Sequence, residues 1–440
     1  MYDIVVQGAS GYTGRLVAKH LARRAETSAR PFRWAIAGRS AEQLADVAAS
    51  VGGSCGVVVT AADADGALSI AERGRVVIST AGPFAEVGSP LVAACAATGT
   101  DYVDTTGETP WVRGVIDRHD DEARANGALI VPMCGFDSVP SDLIARAAAE
   151  RLLRECGVRA RRVRTYISMV GRASGGTIET GIRLARDFRE EYGDPFLLGG
   201  ADGARGARCA EDRDVVDAAL DPQWGVWTAP FGMAKINTRV VRRSAALSLA
   251  RDGARSPYAD DFAYSEVAVA QSEGAARRAA KTAAIGHEVL SALVARGRLP
   301  RPGEGPSASD RAAARYKFTA VAEAEAEAET EAEAEAEAEA EAVGARGGGV
   351  SGARRRAVTV EGRDGGYEDT AAMVGEAALL LLEPDAREAM PRGGVFTPSA
   401  AFGDALRQRL DVQGVRFDLI APLPAGGHGC SVFAPRESGA

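Results

Sequence analysis

The run Ile4-Val5-Val6-Gln7-Gly8-Ala9-Ser10-Gly11-Tyr12-Thr13-Gly14 limits the fold of this chain more than any other stretch. An apolar strand starts within four residues of Met1 and ends in glycines at Gly8, Gly11 and Gly14. A helical pattern follows at once at Leu16, Val17 and Leu21. A strand, a glycine turn and a helix in this order suit a dinucleotide pyrophosphate. Gly8 permits the tight turn, Gly11 lets backbone approach phosphate, and Gly14 lets the helix pack against the strand. The spacing is GxxGxxG rather than GxGxxG, and the flanking strand and helix supply the context that such a motif requires. Ser10, Tyr12 and Thr13 complete the candidate cradle.

The chain has 440 residues, enough for two or three domains with a sizeable core. Its formal charge of −8 is misleading, because ten glutamates alternate with other residues between Glu323 and Ala342, and without them the charge is +2. Such a body offers no nucleic-acid surface. Cys55, Cys95, Cys134, Cys156, Cys209 and Cys430 are scattered without a CxxC pair, which fits reduced thiols of a cytoplasmic protein and no metal site. The N-terminus lacks the basic region and cleavage site of a signal peptide. The apolar run Ala371–Leu382 is too short to span a bilayer and contains Glu376, so it predicts a buried helix.

Residues 1–150 alternate strands and helices, with strands expected at Ile4–Gln7, Arg33–Ala37, Val57–Val59, Val76–Ser79, Tyr102–Asp104 and Leu129–Met133. Strands joined by helical crossovers make a parallel, doubly wound α/β sheet of the Rossmann type. A helix from about Ser141 to Cys156 leads out of it. Residues 158–365 read as an α+β domain for substrate and dimerisation. Its strands are expected at Arg162–Val170, Lys235–Val241, Phe262–Ala270, Tyr316–Ala322 and Arg356–Glu361, and its helices at Thr177–Glu191 and Ala275–Ala295. The segment 322–356 reads as a low-complexity, mobile insertion, since glutamates at every second position cannot form one favourable helix face. Residues 366–440 read as helices packing back on the first domain, Thr370–Leu382 and Ala400–Leu410, with a final strand at Arg416–Ile420.

Binding sites in open α/β sheets lie past the C-terminal strand ends. After the second strand come Arg39 and Ser40, where an NAD site often carries Asp or Glu. A guanidinium and a hydroxyl suit a 2′-phosphate, which favours NADP(H), with NAD(H) as the alternative. Asp63 follows the third strand as an adenine neighbour or a helix cap. Thr80-Ala81-Gly82-Pro83 follows the fourth, where small residues admit a nicotinamide ribose. Tyr102 and Asp104 end the fifth strand, and Asp137 and Ser138 follow the sixth; these are the candidates for substrate contact and proton donation. Ser141 and Asp142 read as a helix cap and a first-turn acid. His20 and His119 fit exposed helix faces, and His428 sits in a glycine-rich loop.

The chain resembles the saccharopine dehydrogenase-like oxidoreductases, and within them the bacterial trans-acting enoyl reductases. The resemblance is carried by Gly8–Gly14 with Arg15-Leu16-Val17, Ala37–Ser40, Gly82-Pro83-Phe84 with Gly88 and Pro90, Asp101–Asp104, Gly107-Glu108 and Cys134–Asp142. It continues in Ser174–Thr177, Pro300–Ser307, Gly366-Tyr367 with Thr370-Ala371 and Met373, and Gly393–Pro398. It implies a Rossmann domain, an inserted α+β domain, a nicotinamide cofactor and reduction of an unsaturated acyl chain made by a polyketide synthase in lipid biosynthesis.

The first expectation is therefore reduction of a carrier-bound enoyl group, with hydride to the β-carbon, a positioned acid for the α-carbon, and donors near Ser138 and the Gly135 amide for the enolate. The alternatives are a saccharopine-like imine reductase, against which Arg172 and Arg183 form no clear arginine cluster in the sequence, or a non-catalytic NADP-binding sensor or scaffold. A homodimer is compatible with all three.

Overall fold

The computed structural model describes residues 1–199, 212–301, 303–324, 354–420 and 433. Cys209, His428, Cys430 and nearly all of the Glu/Ala run lie outside the described residues.

Six strands open the chain: β1 (Tyr2–Gln7), β2 (Trp34–Gly38), β3 (Gly56–Val59), β4 (Gly74–Ser79), β5 (Asp101–Asp104) and β6 (Leu129–Val131). Each is an apolar run stopped by a glycine or polar turn, and helices connect them, starting with α1 (Tyr12–Thr27), α2 (Ala41–Ser50) and α3 (Ala64–Arg73). A second group follows: β7 (Ala160–Val170), β8 (Ala219–Asp221), β9 (Val226–Ala229), β10 (Tyr258–Ala270), β11 (Arg315–Ala324) and β12 (Arg354–Gly362). Then come β13 (Gly394–Val395) and β14 (Arg416–Leu419).

Among the described residues these strands form two seven-stranded sheets. The first has the order β13-β6-β5-β4-β1-β2-β3, and its pairs are parallel. The second has the order β14-β12-β11-β7-β10-β9-β8; β7 and β10 pair in parallel and the other pairs are antiparallel. The reversal of strand order between β1 and β4 creates the crevice where ligands of such sheets sit.

Helix Val139–Cys156 leaves β6 and packs on β7, β11 and β12, so one helix sets the first sheet against the second. Helix Thr370–Leu381 is buried along its whole length against α1, β4 and β5, as its composition predicts. Its one acid, Glu376, is fully buried and meets Arg24 Nε at 2.7 Å, His20 Nε2 at 3.0 Å and Arg409 at 3.4 Å. A carboxylate in such surroundings requires these partners. His20, expected on an exposed face, is instead buried as one of them.

Other expectations also change. Lys235–Val241 is the start of helix Ala234–Asp252, not a strand. Its β-branched residues suggest a strand, but burial around nearly the whole helix both blurs the helical period and overrides that preference. The helical stretch Thr177–Glu191 divides into Gly175–Asp187 and Arg189–Gly193, and Ala275–Ala295 divides into Glu273–Ala283 and His287–Ala295. Arg354–Arg356, expected to be mobile, opens β12. Arg354 donates to Cys156 O at 2.9 Å and Arg355 to Glu323 at 2.7 Å, while Arg356 pairs with Glu155. Ser141 is not a cap. The helix begins two residues earlier, and the Ser141 hydroxyl accepts from Asn237 Nδ2 at 3.2 Å.

Candidate functional site

The turn after β1 is built around its glycines. Gly8 has φ +81°, and a Cβ there would lie 2.7 Å from Ala81 N. At Gly14 a Cβ would lie 2.7 Å from Ala9 Cα and 2.8 Å from Thr80 Oγ1. A side chain at either position would push α1 and the Thr80 loop off the strand ends. Helix α1 starts after Gly11, which offers no side-chain cap, and its first turn holds no acid. Its leading amides and dipole therefore suit an anion.

Arg39 is exposed just past β2, and its guanidinium makes no hydrogen bond or ion pair among the described residues. Ser40 caps α2 by accepting from Gln43 N at 3.3 Å. Asp63 caps α3 by accepting from Gly66 N at 2.8 Å. Past these strand ends lie one uncommitted charge and two polar groups that already serve helices. Together the glycine geometry, the open helix end and the free guanidinium fit a nicotinamide dinucleotide carrying a 2′-phosphate.

A cavity of about 840 Å³ opens between the two sheets beside this loop. Its size is that of a small-molecule site. Gly11, Tyr12 and Thr13 line it from the α1 end, and Thr80, Gly82 and Pro83 from the end of β4. Gly8, Ser10, Gly14 and Ala81 are not part of that wall, although Gly8 and Gly14 pack against the Thr80–Ala81 loop. Arg39, Ser40 and Asp63 lie away from it.

Of the four expected catalytic residues, the cavity takes in Asp137 alone. Tyr102 and Asp104 are buried at the end of β5, where the Tyr102 hydroxyl donates to Asp104 at 2.9 Å. Asp104 also accepts from Thr106 N at 3.0 Å and Met133 N at 2.8 Å. Burial pushes its carboxyl up to about 7 despite these donors. Its place is structural, because Met133 has φ +65°, an unfavourable conformation for a side-chain-bearing residue, and Asp104 holds that amide. Ser138 is buried outside the cavity, and its hydroxyl makes no hydrogen bond among the described residues.

Asp137 differs from all three. It faces the cavity, caps no helix, and its carboxylate meets no hydrogen-bond or ion-pair partner among the described residues. Burial pushes its carboxyl up to about 6. Tyr192 and Tyr367 stand near it, and burial raises both phenols. The loop that carries Asp137 is fixed from behind: Phe136 N donates to Thr370 Oγ1 at 3.1 Å, and Thr370 Oγ1 donates to Gly365 O at 3.0 Å. The amides of Gly135 and Asp137 have no acceptor among the described residues, whereas the Ser138 amide is taken by Gly135 O at 3.2 Å.

Two features of the wall escape a reading of the sequence. Glu108 accepts two backbone amides of the loop after β4. Tyr12 donates to Pro306 O at 2.7 Å, receives Arg311 NH1 at 2.9 Å and meets the Tyr367 ring edge-on at 5.1 Å. A Cβ at Gly305 would lie 2.6 Å from the Tyr12 ring, so a loop nearly three hundred residues away closes directly on the start of α1. The signals were present as Gly107-Glu108 and Gly366-Tyr367, but nothing local assigns them these contacts.

Comparison with known proteins agrees with this geometry. Residues 4–131 match the family model of the saccharopine dehydrogenase NADP binding domain. The chain is 35% identical over 454 residues to a trans-acting enoyl reductase of Mycobacterium ulcerans (strain Agy99), covering 94% of this chain and 96% of that one. It is 33% identical over 436 residues to a trans-acting enoyl reductase of Mycobacterium bovis (strain BCG / Pasteur 1173P2), with the same coverage. Among solved structures, apo saccharopine dehydrogenase (L-Glu forming) from Saccharomyces cerevisiae aligns over 96% of this chain and 100% of its own, at 12% identity and a TM-score of 0.49. Among the described residues no helix is long and apolar enough to cross a membrane.

Proposed function

The chain belongs to the saccharopine dehydrogenase-like trans-acting enoyl reductases, and from that premise we propose that it is an NADPH-dependent reductase of an enoyl thioester. The substrate is presented in trans on the carrier of a separate synthase of the polyketide or lipid type, in the cytoplasm. The observation that carries this reading is the uncommitted Asp137 carboxyl in a cavity that runs from the glycine loop to the second sheet.

Gly8, Gly11 and Gly14 shape the seat for the pyrophosphate, Arg39 meets the 2′-phosphate, and Thr80, Gly82 and Pro83 border the nicotinamide end. The bound cofactor supplies a hydride for the β-carbon of the enoyl group. Negative charge then gathers on the thioester oxygen. The amides of Gly135 and Asp137, which have no acceptor among the described residues, are the donors available to it. Asp137, whose carboxyl burial pushes up to about 6, gives its proton to the α-carbon. The apolar wall of Phe84, Leu184, Phe231, Met233 and Ile236 accommodates the acyl chain and excludes water.

Stopped-flow measurement of NADPH oxidation with an enoyl thioester tests the reading directly. Burst or steady oxidation with saturated thioester as product is the expected result. Tight NADP binding with no turnover of any acyl thioester would reject it.

A further inference from the structure

Three arginines far apart in the sequence meet at one end of the second sheet. Val170, the last residue of β7, stands opposite Arg315, the first of β11. Tyr316 stands opposite Gly362, the last of β12. Arg172 therefore lies just past the end of β7, Arg315 at the start of β11 and Arg363 just past the end of β12. Adjacent strands are about 4.8 Å apart, so the three chains converge within the reach of arginine side chains. All three border the cavity, and all three are exposed.

Glu304 and Asp364 also line the cavity, but Asp364 is already paired with Arg311. Arg315 and Arg363 make no ion pair or side-chain hydrogen bond among the described residues, although Asp369 lies near Arg363. Among the described residues Arg172 has Asp310 alone, at 3.5 Å, and that carboxylate already accepts from Ser307 Oγ at 2.7 Å. Two other arginines nearby are committed: Arg183 to Glu86 and Glu179, and Arg311 to Asp364 and Glu368. Arginine forks match phosphate oxygens well, and three of them at a cavity mouth select an anion. Beside them Met169 and Val170 expose apolar surface on the cavity wall, at 44% and 55%. The mouth therefore suits a phosphate whose attached chain begins with apolar carbons.

The dinucleotide does not explain this set. Its pyrophosphate seat is at the start of α1 and its 2′-phosphate partner, Arg39, lies past β2, away from the cavity. The cavity instead takes in the arginines and Asp137 together, so a ligand that fills it can present an anion to the arginines and its reacting group to Asp137.

We propose that Arg172, Arg315 and Arg363 hold the phosphodiester of a carrier's phosphopantetheine arm, with the enoyl thioester at the far end of that arm placed beside Asp137. This rests on the enoyl-reductase reading above and adds the site where the carrier engages. The arginines are positioning residues: they touch the arm, not the reacting carbons.

The test uses the full chain and two substrates with the same enoyl group. One is loaded on a phosphopantetheinylated carrier protein; the other is an N-acetylcysteamine thioester, which lacks the phosphate. Arg315→Gln, Arg363→Gln and the double variant are compared with the wild type. Each lost charge-assisted contact lowers kcat/KM for the carrier substrate about tenfold, chiefly through KM, and the ratio of carrier to truncated substrate falls with it. Rising ionic strength reproduces the same selective loss in the wild type. Equal losses on both substrates, or a parallel rise in KM for NADPH, would overturn the assignment. Stronger inhibition by glutarate than by free phosphopantetheine would also overturn it, giving the arginines to a dicarboxylate substrate. Wild-type inactivity on both thioesters would instead reject the enoyl reading itself.

Discussion

Glu108 Oε1 accepts the backbone N–H of Phe84 at 2.8 Å, tying the loop after β5 to the loop after β4. Its other oxygen accepts from Ala85 N at 2.8 Å. The carboxylate is buried, so both amides depend on it, and the loop they anchor carries Gly82 and Pro83 along the cavity wall. Glu108→Ala leaves the buried Phe84 amide unpaired, at about 1–3 kcal/mol, frees the half-buried Ala85 amide, and loosens the nicotinamide end of the site. We expect KM for NADPH to rise about tenfold with a lowered Tm, and Glu108→Gln to lose less because one acceptor remains. Steady-state kinetics beside thermal melts check this. Unchanged KM in the alanine variant would show that other contacts hold the loop.

The parallel sheet was readable because each of its early strands is an apolar run ended by glycine or polar residues, and each change of period marks a helix. Helix Ala234–Asp252 was not, because a helix buried on all sides has no polar face to reveal its period. The candidate acids show the same limit. Asp104 and Asp137 both follow strand ends and look alike in the sequence. Packing separates them: Asp104 takes Tyr102, Thr106 and Met133 as donors, while Asp137 keeps none. The arginines at the cavity mouth were hidden for a different reason. They meet only through the β7-β11-β12 pairing, and that register is set by the whole second sheet.

Arg39 supplies a test of cofactor choice that leaves the fold aside. It is exposed and uncommitted, so Arg39→Ala removes no internal contact. A bidentate contact to a 2′-phosphate is a charge-assisted interaction of about 1.5–3 kcal/mol. The variant should therefore lose about ten- to a hundredfold in kcat/KM with NADPH and about twofold or less with NADH. Equal loss with both cofactors would remove Arg39 from the binding site.

Glu266, which is not on the cavity wall, ties stability to pH. It is buried between the second sheet and helix Ala234–Asp252, with Tyr264 Oη at 2.6 Å and Asn237 Nδ2 at 3.0 Å. Burial pushes its carboxyl from 4.5 up to about 7. The folded protein thus keeps a proton that the unfolded chain has lost. Its contribution to stability is complete below 4.5, declines as pH rises, and is gone above about 7. The full swing is on the order of 3 kcal/mol. Glu266→Gln mimics the protonated form: its amide can donate to Tyr264, which already donates to Thr165 at 3.0 Å. Urea denaturation of both proteins across this range should show the variant gaining on the wild type as pH rises. Parallel curves would mean that Glu266 is ionised in the folded state throughout.

Asp137 should appear in the pH dependence of turnover. A general acid works in its protonated form, and burial holds this one near 6. The wild-type rate of the protonation step should be level below about 6 and fall up to tenfold per unit above it, wherever that step limits turnover. Asp137→Asn keeps the size and polarity of the side chain but has no proton to give. It should lose about 10²–10⁴ in kcat and lose the limb near 6, with KM for NADPH little changed. Solvent deuterium supplies the discriminating measurement: a wild-type isotope effect on kcat that disappears or changes in the variant places Asp137 on the proton path. If the variant retains the limb near 6, another group carries the proton, and Tyr367, which stands beside Asp137 in the same cavity, is the next residue to replace.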